Sequence, residues 1–217
     1  MLITLEGGEG CGKSTHLWLL SEWLDRRGVA HILTREPGGT TIGAHISTIR
    51  TLLLNRQAEG IDPVSELFLY LADRRQHVAK MLGPALKAQK IVLCDRYTDS
   101  TLAYQGYGRG LDLDMLRGLN EVATEGLKPD LTLLFDCDWV VGLARAWDRA
   151  DKLEAGTQRE DRFESEEIDF HRRVRQGYLA LAAAEPERFR IIDAARPIED
   201  VQADVRRVVG HALGLKP

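Results

Sequence analysis

The eight residues Gly7-Gly8-Glu9-Gly10-Cys11-Gly12-Lys13-Ser14 constrain this chain more than any other stretch of it. They fit G-x-x-x-x-G-K-[ST], follow the apolar run 2–5, and precede a helical period in which Leu17, Leu20 and Leu24 share a face. Strand, glycine loop and helix in that order make one unit of a parallel α/β sheet. Glycines let backbone N–H groups curl around phosphate oxygens, and the helix adds the positive end of its dipole. Lys13 is expected to reach the β- and γ-phosphates of a nucleoside triphosphate, and Ser14 to hold Mg²⁺. Gly7, Gly8, Glu9, Gly10, Cys11, Gly12 and Thr15 complete the expected ATP-binding set. The loop names no phosphoryl acceptor.

Apolar runs and helical periods alternate along the rest of the chain. Residues 29–33 read as a second strand, broken by Pro37-Gly38-Gly39, and a helix follows through Ile42, Ile46, Ile49 and Leu53. Residues 64–87 form a long amphipathic helix with a kink at Gly83-Pro84. Residues 91–94, 131–135 and 189–192 are short strands, the first apolar throughout, as a parallel strand covered on both faces is. Helices fill 115–125, 140–149, 166–184 and 198–213. The pattern predicts an α/β fold, a five-stranded parallel sheet with helices on both faces. Residues 1–217 read as one domain, with the charged, aperiodic stretch 150–164 as a candidate mobile segment.

Composition removes several classes. With 44% hydrophobic and 29% charged residues, the chain is neither disordered nor fibrous. Its net charge of −4 gives no general attraction for a nucleic acid polymer or an acidic membrane. No run approaches the length of a membrane span. Cys11, Cys94 and Cys137 are isolated and odd in number, which fits a reducing compartment, and the start lacks the basic end of a signal peptide; the expected setting is the cytoplasm. Histidine spacing indicates no further metal site, and Trp18, Trp23, Trp139 and Trp147 are read as packing residues, some of them at a subunit interface. The N-K-x-D signature of guanine-specific phosphate-loop proteins is absent.

Three further clusters fall at strand ends, where open α/β sheets bind ligands. They are Thr34-Arg35-Glu36-Pro37-Gly38-Gly39-Thr40, Asp95-Arg96-Tyr97, and the run from Thr101 to Gly110, TLAYQGYGRG. In order with the glycine loop, KPDLTL, the DRFE element at Asp161-Arg162-Phe163-Glu164 and a final IDA, they resemble bacterial thymidylate kinases over essentially the whole chain. The resemblance implies a P-loop nucleoside monophosphate kinase fold and transfer of a phosphoryl group from ATP to dTMP with Mg²⁺, by a protein that is generally a homodimer. It assigns Arg96 to the dTMP phosphate, and Asp95, with Ser14, to the metal. Tyr70 and Arg74, one helical turn apart, match an aromatic ring stacked on thymine and an arginine bonded to the base. Tyr104 matches the tyrosine packed on the sugar, where its bulk excludes a 2′-hydroxyl. Thr101 and Gln105 match positions near the thymine edge, Glu9 and Glu36 acids close to the acceptor, and Arg50 a second phosphate arginine.

Phosphoryl transfer calls for charge stabilisation and exclusion of water. In one class of these kinases the catalytic arginine lies in the phosphate loop; here that loop reads Glu9-Gly10-Cys11. The chain therefore resembles the class whose lid supplies it, with Arg149 first in line and Arg159 and Arg162 next. Cys11 is read as a small packing residue. Two rivals stay open at this stage. One is a kinase for another nucleoside monophosphate; the other is a nucleotide-sensing module without turnover.

Overall fold

The computed structural model describes residues 1–40, 44–55, 60–152 and 162–215. Five parallel strands, β1 (Leu2–Glu6), β2 (His31–Arg35), β3 (Ile91–Asp95), β4 (Leu131–Asp136) and β5 (Phe189–Asp193), form one sheet in the order β2-β3-β1-β4-β5. Helices α1 (Lys13–Asp25), α2 (Ala44–Leu54), α3 (Pro63–His77), α4 (Gly83–Lys87), α5 (Thr98–Thr101), α6 (Leu113–Thr124), α7 (Trp139–Asp151), α8 (Ile168–Ala184) and α9 (Ile198–Ala212) complete it. Side chains alternate across the sheet. Ile3, Leu5, Leu133 and Phe135 pack with Leu20 and Leu24 of α1 and Val201, Val205 and Val209 of α9. Leu134 and Phe189 pack on the other face with Leu67 of α3, Leu116 of α6 and Val174 of α8. Both faces of the central strands β1, β3 and β4 are covered, whereas the edge strand β5 leaves Arg190 and Ile191 exposed.

The strand order places the sites. β1 lies between β3 and β4, so the chain turns to opposite sides of the sheet about it, and a crevice opens beyond the carboxyl ends of these strands. The glycine loop leaves β1 there, Glu36 follows β2, and Arg96 follows β3.

Boundaries move where local chemistry outweighs the apolar pattern. β2 begins two residues later than the run 29–33 suggests, because the Val29 N–H is spent on Leu24 O in closing the turn after α1. The long helix 64–87 is α3 and α4 joined by a π-helical stretch, Val78–Leu82, immediately before Gly83-Pro84. Proline lacks the N–H a helix needs and crowds the preceding turn, and a widened turn accommodates it. The glycine-rich run after Asp95, to which the apolar pattern assigns no element, folds as α5 followed by a second π-helical stretch, Leu102–Gly108. Glycines let α8 come close. A Cβ on Gly108 would stand 2.6 Å from the Phe170 ring, and one on Gly177 2.6 Å from Tyr107. Of the tryptophans, Trp23 packs in the core, while Trp18 and Trp147 are 66% and 50% exposed on the single chain and do not pack within it.

Candidate active site

Helix α1 starts inside the glycine loop, with Gly12 at φ 87° as its N-cap. Lys13 folds back into the loop, and its ammonium donates to Gly7 O at 3.1 Å and Gly8 O at 2.7 Å. Backbone carbonyls thus hold the Lys13 ammonium where a bound triphosphate would compete for it. Helix α7 closes the loop from the other side. A Cβ on Gly10 (φ 65°) would lie 1.8 Å from Gly142 O, so that close approach requires glycine. Cys11 is buried and donates to Gly8 O at 3.0 Å, as a packing residue would.

Ser14 stands in the first turn of α1, with its hydroxyl donating to Asp95 Oδ2 at 2.7 Å across from the end of β3. Asp95 Oδ1 is buried and has no hydrogen-bond partner among the described residues. A buried carboxylate oxygen rarely lacks a partner. A hydroxyl and a carboxylate side by side, with one oxygen unspent, form the hard oxygen-donor set that Mg²⁺ takes.

Arg96 follows Asp95 in a left-handed backbone conformation, φ 68°. Its guanidinium spans the crevice, donating to Glu9 Oε1 at 2.7 Å and Gly7 O at 3.1 Å. It also lies over the Tyr104 ring, 4.8 Å from the centroid. The Tyr104 hydroxyl donates to the same Glu9 oxygen at 2.6 Å. Burial alone would push the Glu9 carboxyl up, but Arg96, Lys13 and the Tyr104 hydrogen bond outweigh it and bring the pKa to about 2. Behind Arg96, the fully buried Glu6 accepts from Tyr97 N at 2.7 Å, Ser100 Oγ at 2.6 Å and Tyr178 Oη at 2.9 Å. Burial, with Asp99 nearby, raises its pKa to about 7. Ser100 and Tyr178 also lie within 3.3 Å of Arg96 Nη1, so two hydroxyls link Glu6 to the arginine.

The acceptor side is built on α3. Arg74 is buried and donates to Glu36 Oε2 at 2.7 Å, Thr101 Oγ1 at 2.7 Å, Asn120 Oδ1 at 2.6 Å and Tyr97 O at 2.9 Å. One turn on, His77 reaches Glu36 Oε1 at 2.9 Å, and both Asp73 oxygens take the Gly38 N–H. Burial raises the Glu36 carboxyl, but Arg74 and His77 more than offset it, and it titrates below its ordinary value. Arg50 donates to Pro37 O at 2.8 Å and packs against Gly38. Tyr70, half-buried, shares this face of α3.

Gln105 is buried and donates to Glu66 Oε1 at 2.7 Å. Arg162, a candidate for the transferring phosphoryl group, is spent on protein partners. It is buried, with Nη2 2.5 Å from Glu66 Oε2 and Nη1 3.0 Å from Leu53 O, so it ties the chain to α2 and α3. Arg149 lies on α7 with its side chain outside the described part, and Arg159 lies outside the described residues. Exposed Thr15 follows Ser14 on α1.

The motif reading missed Glu6, Glu66, Asp73, His77, Asn120 and Tyr178. A signal for three of them was present. Glu66, Tyr70, Asp73, Arg74 and His77 recur at helical spacing, a polar stripe on a face of α3 that should be apolar.

A glycine loop that faces an arginine-bearing acceptor pocket across the end of a parallel sheet defines a P-loop phosphotransferase of the nucleoside monophosphate kinase type. Within that class the chain belongs to the thymidylate kinase family, whose model matches residues 5–205. It is 54% identical to the thymidylate kinase of Desulfovibrio desulfuricans (strain ATCC 27774) over 209 residues, 96% of this chain and 94% of the other. It is 53% identical to that of Solidesulfovibrio magneticus over 214 residues, 98% of this chain and 100% of the other. Its fold is similar to the crystal structure of thymidylate kinase from Ehrlichia chaffeensis, with a TM-score of 0.74, 35% identity and coverage of 96% and 97% of the two chains.

Proposed function

We propose that this chain transfers the γ-phosphoryl group of ATP to dTMP, giving ADP and dTDP. The observation that carries this reading is the Arg96 guanidinium, 2.7 Å from Glu9 of the donor loop and backed by hydroxyls on the acceptor side. One planar cation would thereby stand between the two phosphates that must meet in line. The acceptor oxygen is already an anion at neutral pH, so no general base is needed.

The loop amides and Lys13 hold the donor phosphates. Ser14 and Asp95 would hold Mg²⁺, which supplies charge neutralisation at the β- and γ-phosphate oxygens. Arg96, with Arg50 beside the Glu36–Gly38 turn, receives the dTMP phosphate. Tyr70 stacks on thymine, while Thr101, Gln105 and Arg74 serve its edge. Four of the five Arg74 N–H groups are spent within the protein, so it meets a base as a rigid fixture. Tyr104, locked on Glu9, packs on the deoxyribose. Arg149, with Arg159 as second candidate, supplies the charge that stabilises transfer.

The test is ADP release with ATP and Mg²⁺ across dTMP, dUMP, UMP, dCMP, AMP and GMP, with a no-acceptor control. Turnover should lead on dTMP, weaken on dUMP and nearly vanish on UMP; the thymine methyl contributes ~1–3 kcal/mol. Turnover led by another monophosphate would overturn the acceptor.

The protein works as a homodimer in the cytoplasm. Val64 and Phe68 of α3 and Met115 and Val122 of α6 are exposed by 37%, 56%, 40% and 75%, an apolar surface suited to a second copy. Sedimentation should find a dimer, and Phe68→Asp should give a monomer. The three cysteines are free, and no helix among the described residues is long and apolar enough to cross a membrane.

A further inference from the structure

We infer that Glu66 is a specificity-positioning residue: it fixes which end of the Gln105 amide is turned to the acceptor base. The inference rests on the reading above that Gln105 stands at the thymine edge.

Glu66 has no exposed surface. Arg162 Nη2 lies 2.5 Å from Oε2, and Arg109 approaches with Nη2 at 3.4 Å from Oε2 and Nε at 3.5 Å from Oε1. Glu166 accepts from the same Arg109 at 2.6 Å, so the cluster sets two carboxylates against two guanidiniums. A carboxylate held between guanidiniums offers only acceptors. Its remaining neighbour, Gln105, must therefore present its NH₂ end, and Nε2 donates at 2.7 Å.

A glutamine amide is nearly symmetric in shape and opposite in sign at its two ends. Once Nε2 is committed to Glu66, turning the amide over would set a carbonyl against a carboxylate. Gln105 is 2% exposed, and its Oε1 has no hydrogen-bond partner among the described residues, yet that oxygen is not fully buried. The spare acceptor is therefore open to a donor from a bound ligand. Thymine and uracil carry a donor at N3, whereas cytosine carries a lone pair there. An acceptor fixed in place selects the former and repels the latter. A site built around one hydrogen bond rejects a ligand that leaves it unpaired far more strongly than an apolar pocket rejects a small change in size. Glu66 touches no substrate in this account; it acts through Gln105.

The experiment compares kcat/KM for dTMP and dCMP in the wild type, Glu66→Gln, Glu66→Asp, Gln105→Glu, Gln105→Leu and the double variant Glu66→Gln/Gln105→Glu. Glu66→Gln offers either end to Gln105, and the dTMP/dCMP ratio should fall at least ~10-fold, mainly through KM for dTMP. Glu66→Asp keeps the charge between Arg109 and Arg162, so the cluster stays paired, but its shorter side chain releases Gln105; the same fall is expected. Gln105→Glu alone sets two carboxylates together and should lose dTMP turnover. The double variant reverses the pair, again turns an acceptor to the base, and should recover the ratio to within ~3-fold of wild type. A ratio unchanged in both Glu66 variants, with dTMP and dCMP falling in parallel, would overturn the inference. Unchanged dTMP kinetics in Gln105→Leu would instead remove the placement of Gln105 at the base, a separate failure.

Discussion

Replacing Arg96 by glycine is expected to lower kcat/KM for dTMP by ~10³ while moving the unfolding midpoint little. Two charge-assisted bonds to an acceptor phosphate contribute about 1.5–3 kcal/mol each, hence ~10²–10⁴ in rate constant when both are lost. The small stability change comes from opposing effects. Arg96 occupies φ 68°, a region costing a side chain ~1–2 kcal/mol that glycine avoids. Glycine also gains freedom in the unfolded chain, which gives back ~0.4–1 kcal/mol. Glu9 loses the bond at 2.7 Å but keeps the Tyr104 hydroxyl at 2.6 Å, and its side chain is 16% exposed, so water takes up part of the loss. Alanine at position 96 separates backbone from guanidinium. It should lose as much activity as glycine yet be ~0.5–1 kcal/mol less stable, because it keeps the left-handed backbone without the ion pair. Urea denaturation beside steady-state kinetics reads both. If alanine proves the more stable, the strain argument fails; if either variant retains more than a tenth of the activity, Arg96 is not the acceptor clamp.

That an arginine should stand in a left-handed conformation was not legible in the sequence, and the reason is general. Periodicity reports which face of an element is apolar, so the five strands, their parallel order of use and the glycine loop could be read from residues 2–14 and the later apolar runs. Identity at a strand end reports chemistry, so Glu36, Asp95 and Arg96 could be placed at the crevice before any coordinates. What holds those side chains follows neither rule. Glu66 meets Arg162 across 96 positions, and Glu6 meets Tyr178 across 172. Such pairs depend on how α3, the π-helical stretch Leu102–Gly108 and α8 dock, and the close approach of that stretch to α8 needs glycine at 108 and 177, which no periodicity in either segment announces. Arg162 shows the cost most plainly. As a residue type beside a charged segment it reads as a candidate for catalysis; only packing reveals it as the partner of a buried carboxylate.

Arg74→Met should destabilise the fold by about 3–5 kcal/mol at neutral pH, the cost of stranding one member of a buried ion pair. The Arg74 and Glu36 side chains are 2% and 3% exposed, so solvent cannot take over the lost contact. The damage spreads through what Arg74 also holds: the Thr101 hydroxyl, the Asn120 amide and the Tyr97 carbonyl. Acid should narrow the gap between variant and wild type. In the wild type Glu36 titrates below its ordinary 4.5, because Arg74 and His77 outweigh the effect of burial. A carboxylate depressed in this way stabilises the fold above its unfolded-state value and gives up that contribution as pH falls through its folded value. Without Arg74, burial is left to dominate and the Glu36 carboxyl moves up instead. The variant then carries its largest penalty above that raised value and sheds it on acidification, while the wild type loses part of its advantage. Urea midpoints at pH 7 and pH 4 should therefore converge. Adding Glu36→Gln to Arg74→Met should recover ~1–3 kcal/mol of the loss at pH 7 and little at pH 4, since the uncompensated charge is what the second substitution removes. A gap of equal size at both pH values would mean that Arg74 supports this pocket by shape alone, and that Glu36 is held ionised by His77.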